Sequence, residues 1–138
     1  MKKLYLDIDE VLLTRIGEPA LGLVEFLTFA TENFDCYWLT THCDGDTKDV
    51  FLYLVGRIPA EAIPYIEKIK PTKFGTFKTE AIDFDNSFYW LDDTLFEGEK
   101  NTLVKWGALE SFILIDLATN PRQLLDLTQT LLTPPISS

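Results

Sequence analysis

The sequence predicts an α/β domain: a doubly wound, Rossmann-like, mainly parallel sheet with helices on both faces and no sizeable cap. Two observations predict it. Four short apolar runs alternate with stretches of helical spacing, the order that builds right-handed crossovers between parallel strands. Three of those runs end at acidic residues or threonine, the edge beyond which such sheets bind ligands.

The first run, KLYLDI at 3–8, reads as a buried strand that stops at Asp7. Pro19 is expected to open a helix in which Leu23, Phe26 and Leu27 share one face. FDCYWLT at 34–40 reads as a second strand ending at Thr40, and Asp44 or Asp46 can cap a helix running to about Val55. Pro59, Pro64, Pro71 and Gly75 break up residues 57–77 into short helical turns and loop. Lys78 starts a brief helical segment, and SFYWL at 87–91 is a third strand leading into Asp92 and Asp93. SFILIDL at 111–117 is a fourth strand, and Pro121 is expected to open an amphipathic helix to about Leu132. Residues 1–133 are read as one domain and 134–138 as a C-terminal tail.

Composition narrows the function. An apolar content of 46% supports one core, and no apolar run reaches the eighteen or so residues of a membrane span. The opening MKKLYLDIDE turns acidic too soon for a signal peptide, so a cytoplasmic protein is expected, with no membrane partner. A net charge of −10 repels nucleic acid. Cys36 and Cys43 have no CxxC or Cys/His ligand spacing around them and read as one buried thiol and one loop thiol.

The chemistry lies where the strands end. Asp7, Asp9, Asp92 and Asp93 gathered at one crevice would repel, each pair ~4 Å apart by about 4 kcal/mol at an effective dielectric of 20. A cation is therefore expected among them. Carboxylate oxygens suit Mg²⁺, whereas zinc prefers imidazole or thiolate and His42 is the sole histidine. Lys78 and the Thr40 hydroxyl can bind phosphate oxygens. A carboxylate can itself attack phosphorus, and a second can protonate the leaving alcohol and then deprotonate water. Asp7 and Asp9 suit those two roles if the backbone stays extended, since residues two apart then lean the same way.

LYLDIDEVL, the end of YWLT, Lys78 in FKTEAID and YWLDD, in that order over residues 4–93, resemble the four motifs of the haloacid dehalogenase-like superfamily. The resemblance implies Asp7 as nucleophile and Mg²⁺ ligand, and Asp9 as general acid/base with its backbone carbonyl on the metal. It implies Thr40, Thr41 and Lys78 as phosphoryl ligands, Asp93 as a direct metal ligand and Asp92 as its support. Asp9 separates this chain from the superfamily's ion-pumping ATPases and dehalogenases, and points to a phosphatase or phosphotransferase. The gaps 13–33 and 41–77, where larger members carry caps, hold at most a flap or a small helical lid. The expected substrate is a phosphate ester, either a small molecule or a phosphoprotein.

Plainer readings stand beside these. Asp7 and Asp9 can be solvated acids at a turn, Thr40 a strand-end hydroxyl, and Asp92 and Asp93 caps of the helix that follows. Lys70 or Lys73 could take the place of Lys78. His42 and Cys43 read as loop residues, and the aromatic residues of the strands as packing. A receiver-type phosphoacceptor module and a non-catalytic phosphate-binding protein are the alternatives to an enzyme.

Overall fold

The computed structural model describes residues 1–132. It contains a four-stranded, all-parallel sheet in the order β2-β1-β3-β4, built from β1 (Lys3–Leu6), β2 (Asp35–Trp38), β3 (Phe88–Asp92) and β4 (Phe112–Leu114). Among the described residues five α-helices connect and flank it: α1 (Leu23–Asn33), α2 (Lys48–Leu54), α3 (Ile63–Ile66), α4 (Glu97–Lys105) and α5 (Gln123–Thr130). This is the Rossmann-like arrangement expected, without a cap. The proposed tail, 134–138, lies outside the described residues.

Alternation along the strands creates two cores. Leu4, Leu6, Cys36, Trp38 and Leu91 enter the larger one with Leu23, Phe26 and Leu27 of α1 and Leu124 and Leu127 of α5. Tyr5, Phe88 and Trp90 point the other way, into a smaller core closed by Leu103 of α4, Leu39 and Ile82. A sheet buried on both faces needs apolar residues at nearly every position, which is why the strands read as continuous apolar runs. Among the described residues no helix is long and apolar enough to cross a membrane.

Several boundaries differ from the sequence expectation. The strands are shorter than 3–8, 34–40, 87–91 and 111–117 at most ends, although backbone bonds such as Asp7 N–H to Leu91 O (3.1 Å) and Leu39 N–H to Leu6 O (2.8 Å) prolong the pairing past β1. Pro19 does not open α1. It pairs as an isolated bridge with Leu13 in a small turn, where Ala20 N–H donates to Leu12 O at 2.9 Å, and the helix starts at Leu23. Gly22 marks the change: its φ of 74° favours glycine, and a Cβ there would lie 2.3 Å from the Leu125 side chain of α5. α5 likewise starts at Gln123, two residues after Pro121.

The proline-rich stretch forms a 3-10 turn at Ala60–Ala62, the short α3 and then an extended bridge of Lys70 to Tyr37. Lys70 N–H donates to Cys36 O (3.0 Å) and Trp38 N–H to Lys70 O (2.8 Å), so this segment covers the free edge of β2. Neither Asp44 nor Asp46 is the N-cap of α2: Thr47 holds that position without a side-chain cap bond, and Asp46, one residue earlier, accepts the Lys48 N–H at 2.9 Å in a local turn that leads into the helix. Both thiols are buried. Cys43, although on the loop after β2, approaches the carbonyls of Asp46 (3.3 Å) and Thr72 (3.4 Å) and ties that loop to the 70–73 segment.

Candidate active site

The carboxyl ends of β1 and β3 lie side by side, and the residues that terminate them meet. Carboxylate oxygens of Asp7, Asp92 and Asp93 lie within 4.8 Å of one another, so these three could hold a cation through oxygen alone. Lys78 joins them, with Nζ 2.6 Å from Asp92 Oδ2 and 3.3 Å from Asp7 Oδ2. Lys70 instead pairs with Asp35 at 2.9 Å and Lys73 with Asp44 at 3.9 Å, so of the three lysines weighed only Lys78 is placed in the cluster.

Lys78 is held there from behind. It opens a 3-10 turn, Lys78–Ala81, whose preceding N–H groups at Gly75, Thr76 and Phe77 donate to the Glu80 carboxylate at 3.2, 3.0 and 2.7 Å. Its own N–H donates to the buried Glu99 carboxylate of α4 at 2.9 Å, which also accepts the Phe96 N–H at 3.1 Å. Glu99 therefore fixes α4 and the lysine turn to each other.

The charges are unevenly matched. Burial and the neighbouring Asp7 push the Asp92 carboxyl up to about 8, against the pull of Lys78. Burial opposes the Lys78 charge too, yet Asp7 and Asp92 hold its ammonium above the usual lysine range. One ammonium among three carboxylates leaves net negative charge in a partly dry site, a donor set that accommodates a small hard cation.

Asp9 does not join that cluster. β1 ends at Leu6, before both aspartates, and the Asp9 carboxylate is not among the oxygens that gather within 4.8 Å. The Asp9 carboxylate instead meets two groups from beyond β2: Tyr53 of α2 donates its hydroxyl hydrogen to Oδ1 at 2.6 Å, and His42 Nε2 lies 2.8 Å from Oδ2. Burial works against its charge, but these two hydrogen bonds hold Asp9 below the usual carboxylate range.

Thr40 is fully buried at the end of β2, where its hydroxyl accepts the His42 N–H at 3.3 Å and its carbonyl accepts the Cys43 N–H at 3.1 Å. The hydroxyl hydrogen can still serve another acceptor. Thr41, next in the chain, is exposed.

Three neighbours of the site were not singled out by the sequence. Tyr53 contacts Asp9 across 44 residues of chain, and no local pattern marks it. Glu99 sits in a helix whose pattern is mostly polar. Glu10 follows Asp9 at a φ of 61°, and its contact with Asp93 raises its carboxyl above the usual range. Beside Asp93 opens a cavity of about 680 Å³ between Glu10, Thr14, Arg15 and Glu18 on one side and Leu114–Ala118 on the other. No family model, curated protein or solved structure matches the chain.

Proposed function

We propose that the chain is a Mg²⁺-dependent phosphohydrolase of the haloacid dehalogenase-like type, acting through a phosphorylated Asp7 on a phosphate ester. The observation that carries this reading is the meeting of Asp7, Asp92 and Asp93 with Lys78 at the carboxyl ends of adjacent parallel strands. In this reading Asp7, Asp92 and Asp93 hold the cation, which supplies charge neutralisation at the phosphoryl oxygens.

Asp7 attacks phosphorus, forming an aspartyl-phosphate as the bond to the ester oxygen breaks. Asp9 gives a proton to the departing alkoxide and takes one from the water that then attacks phosphorus, releasing phosphate and restoring Asp7. Lys78 balances charge on the transferring group, and the Thr40 and Thr41 hydroxyls offer donors at the end of β2. The hydrogen bonds to Asp9 favour its ionised form, which suits the water-activating half of the cycle and works against the proton-donating half. The cavity beside Asp93 gives the ester's leaving group a place to lie.

A receiver-type module would take phosphate on the carboxylate ending its third strand. That residue here is Asp92, only 1% exposed and paired with Lys78 at 2.6 Å, so the hydrolase reading fits better. The test is steady-state hydrolysis of an aryl phosphate with and without Mg²⁺. Asp7→Asn should abolish turnover and Asp9→Asn should slow it by about 10²–10⁴-fold. Full activity in excess chelator, or near-normal activity of Asp7→Asn, would sink the assignment.

A further inference from the structure

Asp9 is the one proposed catalytic group whose carboxylate is held wholly by residues outside the acidic cluster. Tyr53 takes one oxygen at 2.6 Å and His42 approaches the other at 2.8 Å. The two rings stack face to face, with centroids 3.8 Å apart and planes 18° from parallel. Arg57 closes the far side of Tyr53: its guanidinium lies over that ring, 4.2 Å from the centroid, and Nη1 donates to the Tyr53 carbonyl at 2.6 Å. The stack is anchored in the fold. Val50 and Leu54 of α2 are buried in the larger core, and Tyr53 packs, partly buried, against that core. His42 is fixed through its N–H on the Thr40 hydroxyl.

Such an arrangement has a consequence for catalysis. Asp9 follows the end of β1 and its side chain is half exposed, so without partners its carboxylate would sample several rotamers. Two hydrogen bonds to opposite oxygens, each from a stacked ring, leave one. We propose that Tyr53 and His42 are positioning residues that set the Asp9 carboxylate for proton transfer, so that the seating of α2 governs acid–base competence at the end of β1. This rests on the phosphohydrolase reading and deepens it, by giving segment 41–57 a task in the reaction itself.

The experiment is a double-mutant cycle on hydrolysis of p-nitrophenyl phosphate with Mg²⁺, comparing Tyr53→Phe, Asp9→Asn and the double variant. Tyr53→Phe keeps the ring and removes only the hydroxyl. A charge-assisted hydrogen bond used for orientation predicts a fall in kcat of about tenfold or more with KM changed less than twofold. In the Asp9→Asn background, measured by single turnover, the same change should cost less than twofold. His42→Ala should behave likewise, and melting temperatures of all variants show whether they fold.

Equal losses in the two backgrounds would overturn the proposal, because the effect would then not run through Asp9. So would a Tyr53→Phe variant with wild-type kcat, whatever the cycle shows. Failure of the wild-type chain to hydrolyse any ester is a different result: it removes the phosphohydrolase reading, and this inference with it.

Discussion

Lys78 Nζ lies 2.6 Å from Asp92 Oδ2, with the carboxylate side chain 2% exposed and the lysine side chain 14% exposed. A pair this dry is costly to form, and removing the lysine leaves a buried carboxyl that must either hold its charge without water or take up a proton.

Lys78→Ala should therefore destabilise the fold, by less than the ~3–5 kcal/mol of leaving a bare buried charge, because Asp92 can take up a proton. If the proposed reaction is the right one, it should also lower kcat/KM for phosphate esters by ~10²-fold, since the ammonium would balance charge on the transferring group. Lys73→Ala, whose lysine is 74% exposed and 3.9 Å from Asp44, should do neither. Denaturant unfolding and steady-state kinetics on the two variants check both statements. The reverse pattern would transfer the phosphate-binding role to Lys73.

The strand ends that form this site were readable in the sequence because a parallel sheet buried on both faces demands unbroken apolar runs, and the polar residues that stop those runs stand out. Asp7, Asp92 and Asp93 stand out that way, and Lys78 by its place in the ordered motifs, whereas the Thr40 hydroxyl contacts only the loop that follows it. What surrounds them was hidden. Tyr53 reaches Asp9 through tertiary packing across 44 residues, and Glu99 carries out its role in a helix where Leu103 is the only buried apolar residue. Helix starts were misplaced at Pro19 and Pro121, because proline fixes φ suitably for a first turn but also for the loops that occupy those positions here.

Glu10 occupies left-handed backbone, φ 61°, directly after Asp9. That conformation costs a residue with a Cβ about 1–2 kcal/mol. Glycine there escapes the cost but loses about 0.5–1 kcal/mol in unfolded-chain freedom. Glu10→Gly should thus stabilise the fold by roughly 0.5–1 kcal/mol, whereas Glu10→Ala, which keeps the strain, should not. Paired thermal melts decide between them, and a destabilised glycine variant would mean that the Glu10 contact with Asp93 outweighs the backbone strain.

Asp83 sits at the opposite end of the sheet. Hydrogen bonds from the Asn86 side chain, the Lys3 ammonium and the Asp85 N–H hold its carboxyl down to about 2. A carboxyl whose folded pKa lies below its unfolded value stabilises the fold above the unfolded value, and that stability disappears as pH falls through the folded one. The advantage of the wild type over Asp83→Asn should be full at pH 6, shrink below about pH 4 and vanish near pH 2. Both partners are partly exposed, so added salt should reduce it at every pH. Unfolding curves at pH 6, 3 and 2 provide the check; a difference that grew on acidification would contradict the assignment.

Among the described residues no cap stands over the carboxyl ends of the strands: residues 12–20 form only a small turn after β1, and 41–77 is spent on α2, α3, a 3-10 turn and the strip along β2. Tyr53 reaches the site from that second segment, but it contacts Asp9 rather than closing over Asp7. Enzymes with mobile lids use closure to read the leaving group and to exclude water, and here the leaving group would meet only the wall of the cavity beside Asp93. That wall is mixed in character, combining Arg15 and the acids Glu10, Glu18 and Asp116 with Ile16, Leu114 and Leu117. Binding energy would then come mainly from the phosphoryl group, whose contacts are the same for every ester, and uniform contacts do not discriminate. Across a panel of small phosphate esters kcat/KM should fall within about tenfold, or ~1.4 kcal/mol. A larger substrate such as a phosphoprotein could gain selectivity by extending beyond the cavity. A thousandfold preference for one small ester would defeat the open-site account and show that the 41–57 segment closes over substrate as well as holding Asp9.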